Sequence, residues 1–223
     1  MKITRREFSL GASTGGLAVA GLAVAGLAVA GLAVPALVPA LAQAPADLMA
    51  PGPLPEMSLG DDKAPVTMIE YASMTCPHCA AFHAQTYPEL KKKYIETGKM
   101  RFIFREFPLD QLAAAAFMLA RCAGPDRYFP MIEVLFSKQR EWAVQRPLAP
   151  LLAISKQAGM SEQAVNDCLK DQKLLDGIEE IRQRGSTQYG VQSTPTFFIN
   201  GKLFRGNGTL ADLEKEIEPY LKS

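Results

Sequence analysis

Histidine is scarce in this 223-residue chain: there are two, His78 and His83. With four cysteines as the other soft donors, a side-chain metal centre has few ways to form. The one compact grouping is Cys76, Cys79 and His83. No fourth ligand stands in evident position, and a closed structural zinc site needs four. A metal-binding envelope protein built on those three residues is the competing reading from another class. Neither sign of charge prevails. Lys and Arg number 24 against 23 Asp and Glu, a net of +1, of which Lys2, Arg5, Arg6 and Glu7 carry +2, so the rest is about −1. There is no basic stripe to hold nucleic acid and no charge block to make a solvated tail. The run Lys91–Lys93 reads as a solvated helix face. Tryptophan occurs once, at Trp142, and with Phe102, Phe104 and Phe107 it reads as core or interface.

The long apolar run lies at the start. Arg5 and Arg6 precede a tract from Leu10 to Leu41 that repeats Gly-Leu-Ala-Val-Ala three times. Ala42-Gln43-Ala44 then places small residues at a cleavage site after Ala44. A basic start, an apolar stretch and an A-x-A site read as a secretory signal over residues 1–44. The paired arginines suggest the twin-arginine type, which is an address and not an anchor. The tract also exceeds the ~20 apolar residues that a membrane span needs, so an uncleaved anchor is the other reading. Cleavage leaves 179 residues (223 less 44), one domain by length with room for a sizeable core. Pro45 to Pro55 holds four prolines, and residues 45–57 read as a linker.

Export changes how Cys76, Cys79, Cys122 and Cys168 are read, because disulfides persist outside the cytosol and an even count allows two bridges. Val66–Tyr71 (VTMIEY) is apolar and β-rich and predicts a buried strand. A helical pattern of about 20 residues follows, ending at Gly98; Pro77 suits its first turn, and Pro88 should kink or divide it. Arg101–Phe107 alternates as a second strand, completing a βαβ unit. From Gln111 to Arg184 the pattern is helical: Ala113–Cys122, Tyr128–Gln139, Leu148–Ala158, Ser161–Lys170 with Ser161 as cap, and Lys173–Arg184. Asn200-Gly201 then marks a hairpin between Thr196–Ile199 and Lys202–Arg205. Thr209–Leu221 closes the chain as a helix, with Pro219 expected to distort its last turn. Strands at both ends around a helical block predict an α/β class with a helical insertion.

Three stretches within this order carry more specific information: Glu70–His83 (EYASMTCPHCAAFH), Phe104–Pro108 (FREFP) and Val191–Gly201 (VQSTPTFFING). With them, the chain from about Ser58 to its end resembles the bacterial periplasmic thiol:disulfide oxidoreductases of the DsbA type. The resemblance implies a thioredoxin-like fold with an inserted helical subdomain: parts at 58–108 and 186–223, and the insertion at 109–185. It implies an enzyme that introduces disulfides into unfolded or reduced exported proteins in the periplasm, with no cofactor and no metal, and a quinone-linked membrane partner as re-oxidant. It further implies a cis bond before Pro195, with the Thr194–Pro195 loop against the cysteines, and a buried acid, Glu70, handling protons for the inner cysteine. Two positions depart from the best-known oxidases of this type: Thr194 stands where they carry valine, and His83 where they tend to carry an acid. Related isomerases add an N-terminal dimerisation domain. The 13 residues of 45–57 are too few for one, which favours a monomeric oxidase over an isomerase or reductase of the same fold.

The residues themselves suggest the chemistry. Cys76 should start the helix, where unpaired N–H groups and the helix dipole favour a thiolate, with His78 adding to this; Cys79 should lie one turn in and more buried. Glu70 could otherwise be a strand-end residue facing solvent, and Pro195 an ordinary trans proline. His83, at i+4 from Cys79, reads as a surface histidine that could neighbour the pair. Cys122 and Cys168 fall in one helical block and read as a structural disulfide or as two buried free thiols.

Overall fold

Two runs of β-branched and aromatic residues supply the middle of the sheet. In the computed structural model, which describes residues 47–222, Val66–Ala72 forms β2 and Met100–Glu106 forms β3. They pair in parallel, from Val66 opposite Met100 to Ala72 opposite Glu106. Between them run α1 (Pro77–Gln85), α2 (Tyr87–Leu90) and one π-helical turn over Lys91–Ile95. The expected division falls at Thr86, before Pro88, whose ring and missing N–H cannot continue the ladder.

Successive side chains of a strand point to opposite faces. Ile69 and Tyr71 therefore face one side, packed with Leu48, Ile181, Val191 and Phe198. Val66, Met68 and Ala72 face the other, against α1 and the helical layer. Glu70 shares the parity of Met68 and Ala72, which puts a carboxylate into the larger core.

The insertion holds α3 (Gln111–Cys122), α4 (Pro125–Ser137), α5 (Gln139–Trp142), α6 (Leu148–Gln157), α7 (Glu162–Cys168) and α8 (Gln172–Gln188). Asp110, Ser161 and Asp171 cap α3, α7 and α8, each accepting from the amide three residues on. Buried Glu106 of β3 ties this layer to the sheet, accepting from Arg121 Nε (2.6 Å), Arg121 Nη2 (2.9 Å) and Tyr128 Oη (2.7 Å). Cys122 and Cys168 are bridged, joining the last residues of α3 and α7 with their Cα atoms 6.2 Å apart. Trp142 is fully buried.

After the insertion, β4 (Thr196–Ile199) runs antiparallel to β2. Asn200 and Gly201 adopt φ of 45° and 80°, the left-handed pair that a two-residue hairpin requires, and lead into β5 (Lys202–Leu203). Thr209 caps α9 (Leu210–Leu221), which runs through Pro219 rather than fraying there. One lost N–H so near a helix end breaks little of the ladder.

The structure corrects the reading near the N-terminus. β1 (Met57–Leu59) was not anticipated; it adds an antiparallel edge to β3, giving the order β1-β3-β2-β4-β5. The stretch expected as a linker, residues 45–57, is packed from residue 47 onward. Leu48 is fully buried, and Arg105 donates to the carbonyls of Leu48 (2.8 Å) and Ala50 (3.1 Å) and pairs with Glu56. Prolines set an extended path there, but three apolar or charged anchors dock it. The expected signal over 1–44, its twin-arginine type, its cleavage after Ala44 and the alternative anchor lie outside the described residues. Among the described residues, no helix is long and apolar enough to cross a membrane.

Candidate active site

Cys76 is the N-cap of α1, in extended conformation, with Pro77, His78 and Cys79 as the first helical residues. Cys76 and Cys79 are both free thiols. As a thiol, Cys76 makes no side-chain cap bond; it donates instead to the Thr194 carbonyl at 3.2 Å. A thiolate can only accept. The Cys79 thiol is the strongest donor to it, followed by the Thr194 side chain and the backbone N–H groups of Cys79 and His78. Together they overcome the opposing effect of burial and pull Cys76 down to about 5. The Thr194 hydroxyl has no partner while Cys76 is a thiol, so it is free for that bond. His78 is exposed, and its backbone is what acts on Cys76.

Cys79 sits one turn in and is fully buried. Burial, first, and then the hydrogen bond to Cys76 and the nearby charge of Glu70 push its thiol far above the ordinary range. The two sulfurs are thus driven in opposite directions, one toward a stable anion and the other toward a neutral thiol.

Glu70 is completely buried behind Cys79, on β2 between Phe104 of β3 and Phe197 of β4. Its Oε2 lies 2.9 Å from His83 Nε2, while Oε1 has no partner. The expectation of a surface His83 is overturned. Its side chain is 4% exposed, stacked on Phe136 at 4.3 Å between ring centroids. Position i+4 on α1 points inward because Cys79 does. Among the described residues, no three His, Cys, Asp or Glu side chains are grouped to hold a metal ion.

The Thr194–Pro195 bond is cis, and the Thr194 carbonyl accepts from Cys76 Sγ. Beside it a groove of about 710 Å³ is lined by His78, Phe82, Pro195, Phe197 and Phe204. Two braces went unforeseen. Gln139 of α5 donates to the carbonyls of Met74 (2.8 Å) and Cys76 (3.0 Å). Thr75 donates to the α3 cap, Asp110, at 2.7 Å. The capping role of Asp110 has a local signature; the reach of Gln139 across 63 residues has none.

The chain matches known proteins. The thioredoxin family profile matches residues 54–219. The crystal structure of Wolbachia pipientis alpha-DsbA1 superposes with a TM-score of 0.71 at 36% identity, over 77% of this chain and 94% of that one. The chain belongs to the DsbA-type thiol:disulfide oxidoreductases. A putative protein-disulfide oxidoreductase of Rickettsia bellii is 32% identical over 168 residues, 73% of this chain and 65% of the relative. Disulfide bond formation protein D of Bacillus subtilis is 26% identical over 172 residues, 74% and 76% of the two chains. The chain thus spans just under two thirds of the length of that rickettsial relative. Cys76, Cys79, His78, Thr194 and Pro195 converge in space, with Glu70 behind them. Cys122 and Cys168 join each other elsewhere, within the insertion.

Proposed function

We propose that the protein introduces disulfides into reduced exported proteins by dithiol–disulfide exchange through Cys76 and Cys79. The observation that carries this reading is the opposed pair: Cys76, capping α1 under the cis Thr194–Pro195 loop, is stabilised as a thiolate, while Cys79 is buried as a thiol. A stabilised thiolate favours the reduced form, so the disulfide form gives its bond away.

In the oxidised protein a substrate thiolate attacks Cys76 Sγ, and the Cys76–Cys79 bond breaks. Cys79 leaves as a thiolate and takes up a proton. A second substrate thiolate attacks the substrate sulfur of the mixed disulfide; the substrate disulfide forms and Cys76 departs as its stable anion. Two electrons pass from substrate to protein. An extended substrate segment would lie in the groove beside Pro195, pairing with the backbone at Thr194. A quinone-linked membrane partner would take the electrons on. Residues 1–44 would act as a twin-arginine signal that sends a monomer to the periplasm.

The test is the reduction potential of the Cys76–Cys79 pair against glutathione buffers, with Cys122 and Cys168 changed to alanine. A value well above the glutathione couple supports the oxidase. A value near that of thioredoxin, about −270 mV, would make the protein a reductase and overturn the direction proposed.

A further inference from the structure

The groove beside Pro195 carries charge of one sign. No Asp or Glu is among the described residues that line it, while His78 and Arg205 both do, and both are exposed. This is a local bias, since the chain as a whole holds 24 Lys and Arg against 23 Asp and Glu. A second groove, between α1, α2 and α4, is mixed: Glu96 and Glu133 line it together with Lys91.

Arg205 is the permanent cation of the two. Phe204 N still donates to Phe197 O at 2.9 Å, so the pairing of β4 and β5 continues past Leu203 and delivers Arg205 to the Pro195 end of β4. There Arg205 has no ion-pair or hydrogen-bond partner among the described residues. Lys202 of the same hairpin is engaged, its Nζ 5.7 Å from the centre of the Tyr220 ring. Asp212 of α9 comes close to this loop, but its carboxylate is taken by Thr209, the Asn207 backbone and Lys215 (3.6 Å). The groove's apolar part is aromatic, with the Phe197 ring 4.7 Å from Phe82 and 6.1 Å from Phe204 between centroids. A guanidinium at the edge of such a surface acts through a lower effective dielectric than one in open water.

We propose that Arg205 selects substrates: the segment that lies in this groove carries Asp or Glu within a few residues of the cysteine that attacks Cys76, and segments with Lys or Arg at that place are disfavoured. This rests on the exchange reaction proposed above and adds the class of substrate to it. The bonds and electrons of the exchange are unchanged, because the carboxylate takes part in none of them. The planar fork of Arg205 matches a carboxylate with two parallel hydrogen bonds. A cationic segment meets two like charges and no acid to offset them, and that repulsion is the discriminating half of the selection. Arg205 touches no reacting sulfur; it is a specificity-determining residue.

The test uses the full chain, oxidised at Cys76 and Cys79, and synthetic peptides of one length. Each peptide has a single cysteine in a Gly and Ser background, with Glu, Gln or Lys placed in turn at each of the four positions on either side. Peptide in excess reduces the protein, and acid quench with alkylation follows the freed thiols. At one position or more, the wild type should react about two- to fivefold faster with Glu than with Gln, and slower with Lys. Salt at about 1 M, which screens charges beyond about 3 Å, should remove the difference, a result that needs no variant. Arg205→Ala should lose the preference and Arg205→Glu should reverse it. Every protein meets the same peptides, so the peptides' own thiol reactivity cancels in the comparison. Equal Glu-to-Gln-to-Lys ratios in the wild type and Arg205→Ala at every position, or a Glu preference that survives high salt, overturn the selection. If none of the peptides, the Gln set included, reduces the wild type, the reading of the Cys76–Cys79 site fails first and takes the selection with it.

Discussion

At the scale of single residues, the candidate site sets two identical thiols apart. Cys76, at about 5, lies below the ordinary thiol value of about 8.5. A group with a depressed folded value stabilises the fold above its unfolded value and loses that contribution as the pH falls through the folded one. The reduced protein should therefore gain melting temperature over the oxidised one between about pH 5 and 8.5, and the gain should vanish below about 5. Cys79 shifts the opposite way, so above about pH 8.5 its refusal to ionise begins to work against the reduced fold. Thiolate absorbance against pH should show one transition near 5, absent in Cys76→Ala. Thr194→Val removes a donor to the anion. It should move that transition upward and make the pair more reducing, without destabilising the fold while Cys76 is a thiol, since the hydroxyl it deletes has no partner then.

At the scale of elements, the start of α1 is held from outside itself. Asp110 caps α3 through Ala113 N at 2.7 Å and accepts from Thr75 at 2.7 Å, so one carboxylate starts a helix and fixes the residue before Cys76. Asp110→Ala should cost about 1 kcal/mol for the lost cap, seen as a fall in melting temperature of about 2–4 °C. Asp110→Asn keeps the cap acceptor and should restore most of that stability. A melting temperature equal to the wild type in Asp110→Ala would show that the cap contributes nothing. Gln139, from α5 in the middle of the insertion, fixes the carbonyls on both sides of Thr75. The helical insertion is therefore part of the site's support as well as its cover.

At the scale of the whole molecule, the Cys122–Cys168 bridge closes a loop of 46 residues across α3 and α7. Replacing both by alanine should cost about 4 kcal/mol in the chain-entropy account of disulfides, or about 10 °C in melting temperature for a domain of this size. The Cys76 transition should stay near 5, because its donors lie in α1 and the Thr194 loop. A large shift in that transition would show that the insertion governs Cys76 and Cys79 directly. The N-terminal stretch belongs to this scale too: Arg105, paired with Glu56, holds the chain from Leu48 to Ala50 against the sheet.

The sequence by itself determined the elements whose signals are local. The β2 and β3 runs, the caps at Ser161 and Thr209, the break at Pro88 and the Asn200-Gly201 hairpin can each be read within a few residues, because periodicity and turn chemistry act over that range. It also placed Cys76 at a helix start and Cys79 one turn in. The cis bond before Pro195 came from family resemblance, since no local signal distinguishes it. Only the tertiary structure decided that His83 turns inward, that residues 47–57 pack as a strap with an edge strand, and that Gln139 reaches the motif. Each of these depends on what lies opposite: a buried carboxylate for His83, an arginine for the strap, two loop carbonyls for Gln139. Partners tens of residues away leave no periodicity, and only folding brings them within the 3 Å or so where a hydrogen bond can form.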